Sequence, residues 1–296
     1  MRLRRCFCFM IIDGKSTAQN LRSSLRIKVE EYKKHGMRVP TLRVILVGDN
    51  PASLSYVNGK LKAAAEIGID SRLLHLSSDC SESELLLLIE KLNQNTDIDG
   101  ILVQLPLPSH INEQKLLRSI NPQKDVDGFH PENVAKLWLG ESCIKPCTPL
   151  GILALLDNCN IEIEGKEAVI VGRSNIVGKP LAKMLLDRNA TVTIAHSHTH
   201  DLHSVTSRAD ILITAVGSPH LITADYVKDN AVVIDVGISR LPDGHLTGDV
   251  DFEEVKNKVS YITPVPGGVG PLTIAMLMQN TIDCYMLHNN KNTYNL

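Results

Sequence analysis

Residues 169–178, VIVGRSNIVG, carry an apolar strand directly into a glycine turn, the junction from which an open α/β sheet builds its strand–turn–helix units. Gly172 and Gly178 keep the outer glycines, Ser174 replaces the middle one, and Arg173 stands beside it. Backbone N–H groups of such a turn, with the N-terminus of the next helix, meet pyrophosphate oxygens, so the segment points to a nucleotide cofactor. An α/β domain whose glycine turn binds nothing is the competing reading. The next strand, Thr191 to Ala195, is followed by His196, Ser197, His198 and Thr199, with no carboxylate before Asp201. An NAD site places Asp or Glu there to bind the ribose hydroxyls. Hydroxyls such as that of Ser197, together with the Arg173 guanidinium, instead suit a 2′-phosphate, and NADP is expected ahead of NAD.

Strands and helices alternate along most of the chain, which implies mainly parallel sheets. An amphipathic helix over 16–35 stops at Gly36; a strand over 42–48, a helix over 53–66 and a strand over 70–76 follow. Ser81 and Glu84 have the spacing of a capping box. The strand that starts at residue 100 runs into Pro106 and Pro108, while 121–148 has little regular pattern. Strands then recur at 168–171, 191–195, 210–214 and 231–236. The expected architecture is α/β, with two α/β domains flanking a cleft. Residues 10–148 would form the catalytic domain and 149–271 a Rossmann-type nucleotide-binding domain, with a helix over 272–287 packing back onto the first.

At 296 residues the chain exceeds one ordinary domain, and 43% hydrophobic residues provide for two cores. A net charge of −2 without a basic tract removes the electrostatic case for nucleic acid, and no apolar run approaches a membrane span. Seven scattered cysteines read as reduced thiols, and a cytoplasmic location is expected. Cys143 and Cys147 have a C-x₃-C spacing without a second pair, a thin basis for zinc, and Cys147 is an equally thin candidate nucleophile. Arg2, Arg4 and Arg5 before the apolar run 6–12 imitate the start of a secretory signal, but the run is short and lacks a cleavage site. Met10 is an alternative start, and residues 1–9 are expected to be dispensable.

Tyr56 and Lys60 stand at i and i+4 of one helix, stacked on one face, so that a phenol ring can hold a flat aromatic group while an amine reaches its reacting atoms. Gln104 lies near the carboxyl end of a strand, where open sheets line ligand crevices. Asp125 and Asp127 alternate, so one of the two faces a site; spacing does not choose between them. The prolines and glycines of TPVPGGVGPLT, 263–273, make a stiff backbone wall or a hinge. His196, His198, His200 and His203 cluster after a strand without a firmly placed carboxylate or thiol, and no metal is expected.

In order along the chain, DGK at 13–15, VGDNPAS..YV..K at 47–60, DGILVQLPLP at 99–108, KDVDGFHPEN at 124–133, PCTP.G at 146–151, GRSNIVGKP at 172–180 and TPVPGGVGPLT at 263–273 resemble the bifunctional methylenetetrahydrofolate dehydrogenase/methenyltetrahydrofolate cyclohydrolase family. The resemblance spans about 11–281 and implies a homodimeric enzyme of one-carbon metabolism that serves purine biosynthesis. It implies that Tyr56 stacks on the substrate, that Lys60 and Gln104 act in catalysis, and that Asp127 rather than Asp125 binds the pterin. Val269, Gly270 and Pro271 would lie beside the folate; Gly172, Arg173, Ser174, Gly178, Ser197 and Ile238 would contact NADP. Lys60 would manage protons in the hydrolytic step through its neutral amine. A dehydrogenase without useful cyclohydrolase activity, and a non-catalytic sensor of folate or nucleotide, are the alternatives.

Overall fold

The computed structural model describes residues 9–293; Cys6, Cys8 and all but the last residue of the segment expected to be dispensable lie outside that range. Among the described residues, two compact units comprise 9–18 with 148–273, and 19–147 with 274–293. No helix among the described residues is long and apolar enough to cross a membrane.

The unit containing 148–273 is built on a six-stranded sheet. Its strands are β1 (Met10–Ile11), β5 (Glu167–Val171), β6 (Thr191–Ala195), β7 (Ile211–Thr214), β8 (Val232–Asp235) and β11 (Tyr261–Ile262), in the order β1-β11-β8-β7-β5-β6. Every pairing is parallel. β7 and β8 are buried along their whole length; each is apolar up to its carboxyl end, where Thr214 and Asp235 stand, as expected of strands whose two faces are both covered. A hairpin of β9 (Ser239–Arg240) and β10 (Leu246–Thr247) follows β8. The helices are α6 (Cys147–Asn158), α7 (Gly178–Leu186), α8 (Leu202–Thr206), α9 (Phe252–Val255) and the start of α10 (Val269–Thr293).

Residues 10–18 do not group with the segment that follows them, as a domain over 10–148 would require. Met10 and Ile11 pair with Tyr261 and Ile262 at the edge of the six-stranded sheet, and Phe9 packs on that unit's core. A two-residue edge strand has no periodicity to read, so its partner is set only by tertiary pairing.

In the other unit, β2 (Thr41–Val47) lies between β3 (Asp70–Leu76) and β4 (Gly100–Val103), again all parallel. Around them run α1 (Gly14–Lys34), α2 (Pro51–Ile67), α3 (Glu82–Gln94), α4 (Glu113–Ser119) and α5 (Pro131–Leu139). Local chemistry starts these helices where it should. Asn50 accepts from the Ala52 and Ser53 N–H groups ahead of Pro51, and Ser81 with Glu84 forms a full capping box. The segment expected to be irregular holds α5, started by His130 and Pro131 and ended by Gly140 in a left-handed conformation. At nine residues it is too short for its periodicity to stand out in sequence.

Candidate active site

In the three-stranded unit, α2 presents Tyr56, nearly half exposed, one turn before half-buried Lys60. Gln104 continues from β4, still bonded by its N–H to the Ile45 carbonyl. Lys60 Nζ donates to Gln104 Oε1 at 2.9 Å, and Gln104 Nε2 donates to the Leu105 carbonyl at 2.6 Å. The carboxamide is thereby held with its oxygen toward the amine.

The KDVDG segment runs extended beside β4, with the Ile101 N–H bonded to the Lys124 carbonyl and Asp125 bridged to Ile101. Three buried anchors fix it. Lys124 Nζ donates to the carbonyls of Leu92, Asn93 and Asn95, the unpaired end of α3. Asp125, 2% exposed, accepts from the Gly128 and His130 N–H groups and from Asn133 Nδ2. Asn280, on α10, donates to the carbonyls of Val126 and Lys145 at 2.8 and 2.9 Å. Asp125 is consumed by the backbone and Asn133, and Asp127 stays half-buried and feels the charge of Lys60.

Burial pushes the Asp127 carboxyl up to about 6; the Lys60 charge opposes this and Asp125 adds to it. Burial first, then neighbouring Asp127, also pushes the Cys147 thiol well above its ordinary range. A buried thiol kept protonated is no nucleophile, so the sequence candidacy of Cys147 ends there. Asn280 was not singled out in sequence; the amide pair Gln279–Asn280 in the largely apolar stretch 274–282 was the available signal.

In the six-stranded unit, β5 leads into the glycine turn. Gly172 has φ +132, and a Cβ there would sit 2.5 Å from the Ala215 carbonyl oxygen. Ser174 Oγ accepts from the Val177 and Gly178 N–H groups at 3.1 and 3.4 Å, so the residue in the middle-glycine position caps the turn before α7. Residues 172 and 178 are one position further apart than the first and last glycines of G-x-G-x-x-G, and Ser174 closes that longer turn. Arg173 and Ser197 are exposed. After β6 the chain folds tightly, with the His196 N–H on Thr199 Oγ1 at 2.8 Å. Asp201, the first acid beyond β6, is the N-cap of α8 and accepts from the Ser204 N–H. The first carboxylate beyond this strand end is thus engaged in a helix cap. Among the described residues no three His, Cys, Asp or Glu side chains converge as metal ligands, and the four histidines of 196–203 are no exception.

Ile238 Cδ1 lies 3.7 Å from where a Cβ would stand on Gly270, so the Val269–Pro271 stretch and a residue of the β8–β9 loop are neighbours. The DGK motif finds its reason in the same wall. A Cβ on Gly14 would stand 1.8 Å from the Gly268 carbonyl oxygen, so the two backbones pack in direct contact.

Residues 12–127 match the catalytic domain of tetrahydrofolate dehydrogenase/cyclohydrolase, and residues 146–289 its NAD(P)-binding domain. The bifunctional protein FolD of Bacillus licheniformis is 59% identical over 272 residues, covering 92% of this chain and 95% of the relative. The crystal structure of the bifunctional FolD dehydrogenase/cyclohydrolase of Campylobacter jejuni superposes with a TM-score of 0.93 at 50% identity, covering 96% of this chain and all of that one. The Trypanosoma brucei enzyme, solved with NADP cofactor and an inhibitor, gives 0.90 at 36% identity, over 94% of this chain and 97% of the other.

Proposed function

This chain belongs to the tetrahydrofolate dehydrogenase/cyclohydrolase family, and from that premise we infer that it oxidises 5,10-methylenetetrahydrofolate to the methenyl form with NADP and hydrolyses that product to 10-formyltetrahydrofolate. The observation that carries the chemical reading is the Lys60–Gln104 pair at 2.9 Å with Asp127 in electrostatic reach of the amine.

A pterin presents an amino group and a ring N–H along one edge, and a fixed carboxylate pairs with two such donors. Asp127 is the anchor for that edge; its raised carboxyl is still ionised at neutral pH. Tyr56, exposed one turn away, supplies a ring face for the flat heterocycle. As a neutral amine, Lys60 takes one proton of the water that adds to the methenyl carbon; the other goes to the ring nitrogen released when the carbon–nitrogen bond of the bridge breaks, and Gln104 aims the amine. When bound, NADP supplies the hydride acceptor for the oxidative step. The residues of the six-stranded unit fit it: Gly172 and Ser174 shape a turn that meets phosphate, and Arg173 and Ser197 answer a 2′-phosphate where the first acid is engaged in a helix cap. Ile238 adds an apolar contact for the nucleotide, and its neighbours Val269–Pro271 keep the folate-side role that the resemblance implies.

The finer reading is a cytoplasmic homodimer that feeds formyl groups to purine biosynthesis. One purified preparation tests the function: oxidation of methylenetetrahydrofolate with NADP and NAD in parallel, then hydrolysis of methenyltetrahydrofolate without nucleotide. Both activities, with NADP preferred, are expected; binding of folate or nucleotide without turnover would refute the reading in favour of a sensor.

A further inference from the structure

Two buried carboxylates tie together the loops that follow β7 and β8. Asp249 is wholly buried and Asp235 is 3% exposed. Asp249 accepts the Val216 N–H on Oδ2 at 2.8 Å and the Ser218 N–H on Oδ1 at 2.7 Å, so both oxygens are spent on the loop after β7. Asp235 accepts the N–H groups of Gly237 and Asp249 on Oδ1, each at 3.0 Å, and that of Val250 on Oδ2 at 2.9 Å. Thr214 Oγ1 donates to the same Oδ1 at 3.2 Å. A continuous chain of bonds thus runs from the β7 loop through Asp249 and Asp235 to the β8 loop. It leaves no slack: a Cβ on Gly237 would stand 2.3 Å from the Asp249 carboxylate, and one on Gly248 1.9 Å from that of Asp235.

Adjacent buried acids are costly, and burial together with the Asp249 charge pushes the Asp235 carboxyl up to about 6. An apolar pair would fill the space at less cost but would leave the loop N–H groups unpaired. Both loops lie at the carboxyl ends of parallel strands, where open sheets bind ligands. The β7 loop reaches the phosphate turn, since the Ala215 carbonyl is the atom that excludes any side chain at Gly172. The β8 loop carries Ile238, and Ser239 Oγ donates to the Gly217 carbonyl at 3.4 Å.

We propose that Asp249 and Asp235 are positioning residues for the nucleotide. They set the backbones of 215–218 and 236–239 against the turn at 172–178 and govern cofactor affinity without touching the cofactor. The proposal rests on the NADP reading of this unit.

The test is Asp249→Asn in the full-length protein. The amide keeps the shape but offers one acceptor, so either Val216 or Ser218 loses its partner. The KM for NADP is measured in methylenetetrahydrofolate oxidation, and hydrolysis of methenyltetrahydrofolate is followed in the same preparation without nucleotide. A lost charge-assisted bond predicts a KM increase of about tenfold with hydrolysis within about twofold of the parent. Thr214→Val, a milder change, carries the test if the first variant is insoluble, with a rise of roughly threefold for a weaker bond. An unchanged KM, or both activities falling in proportion, would overturn the proposal, since general loss of folded protein moves them together. A parent enzyme without NADP-linked oxidation would sink the NADP reading itself and the proposal with it.

Discussion

The raised Asp127 carboxyl makes folate affinity depend on pH in a window that ordinary carboxylates do not reach. Only the ionised form can accept both donors of the pterin edge. With a midpoint of about 6, roughly a tenth of the group is ionised at pH 5 and nearly all of it at pH 7.5. Tetrahydrofolate should therefore bind about tenfold more weakly at the lower pH. Asp127→Asn offers one acceptor and one misplaced donor, and loss of a bond to a charged group costs about 1.5–3 kcal/mol, or roughly ten- to a hundredfold in affinity. Its affinity should also be flat over the Asp127 window, and any titration of the ligand itself appears in both proteins and cancels. The fold carries the complementary cost. A carboxyl raised from 3.8 to about 6 makes the native state take up a proton that the unfolded chain does not. Stability rises as pH falls through 6, is complete below 3.8, and at neutral pH is lower by up to about 3 kcal/mol. Asp235 titrates in the same window, so the difference between parent and variant isolates Asp127. Calorimetric titration of tetrahydrofolate from pH 5 to 7.5 decides the matter. A variant that binds as tightly as the parent, or that keeps the parent's pH dependence, refutes the anchoring role.

Lys60→Met should abolish hydrolysis of methenyltetrahydrofolate while NADP affinity, measured by equilibrium titration, stays at the parent value; retained hydrolysis removes Lys60 from the mechanism. Arg173→Ala should raise the KM for NADP by about tenfold, a lost charge-assisted bond, and that for NAD far less, and equal changes contradict a 2′-phosphate contact. Asn280→Ala should weaken folate binding and lower the unfolding midpoint, because the Val126 and Lys145 carbonyls lose a shared donor at about 1–3 kcal/mol for an unsatisfied buried group. Unchanged folate affinity in that variant would detach Asn280 from the placement of Asp127.

Much of the site was legible because its residues announce themselves locally. Tyr56 and Lys60 share a helix face by spacing alone, and Gln104 follows a buried strand closed by prolines. The alternation of Asp125 and Asp127 stated that the two acids point apart; that Asp125 is the one consumed required Gly128, His130 and Asn133 to close around it. The acid-free end of β6 was visible at once, whereas the use of Asp201 as a helix cap was not. α5 escaped because nine residues started by His130 and Pro131 leave little periodicity to detect.

Sequence by itself determined the α/β class, the parallel strands, the helix start at Ser81, and the glycine turn, since periodicity, capping and φ preference act over a few residues. Tertiary structure decided what those ranges cannot hold: the pairing of Met10 and Ile11 with Tyr261 and Ile262, the packing of Gly14 on Gly268, and the bond from Asn280 to Val126. It also decided the junction of Asp235 and Asp249 beneath two loops. Each joins residues that only the closed fold makes neighbours, and burial, which sets the titration of Asp127 and Asp235, exists only once the chain has closed.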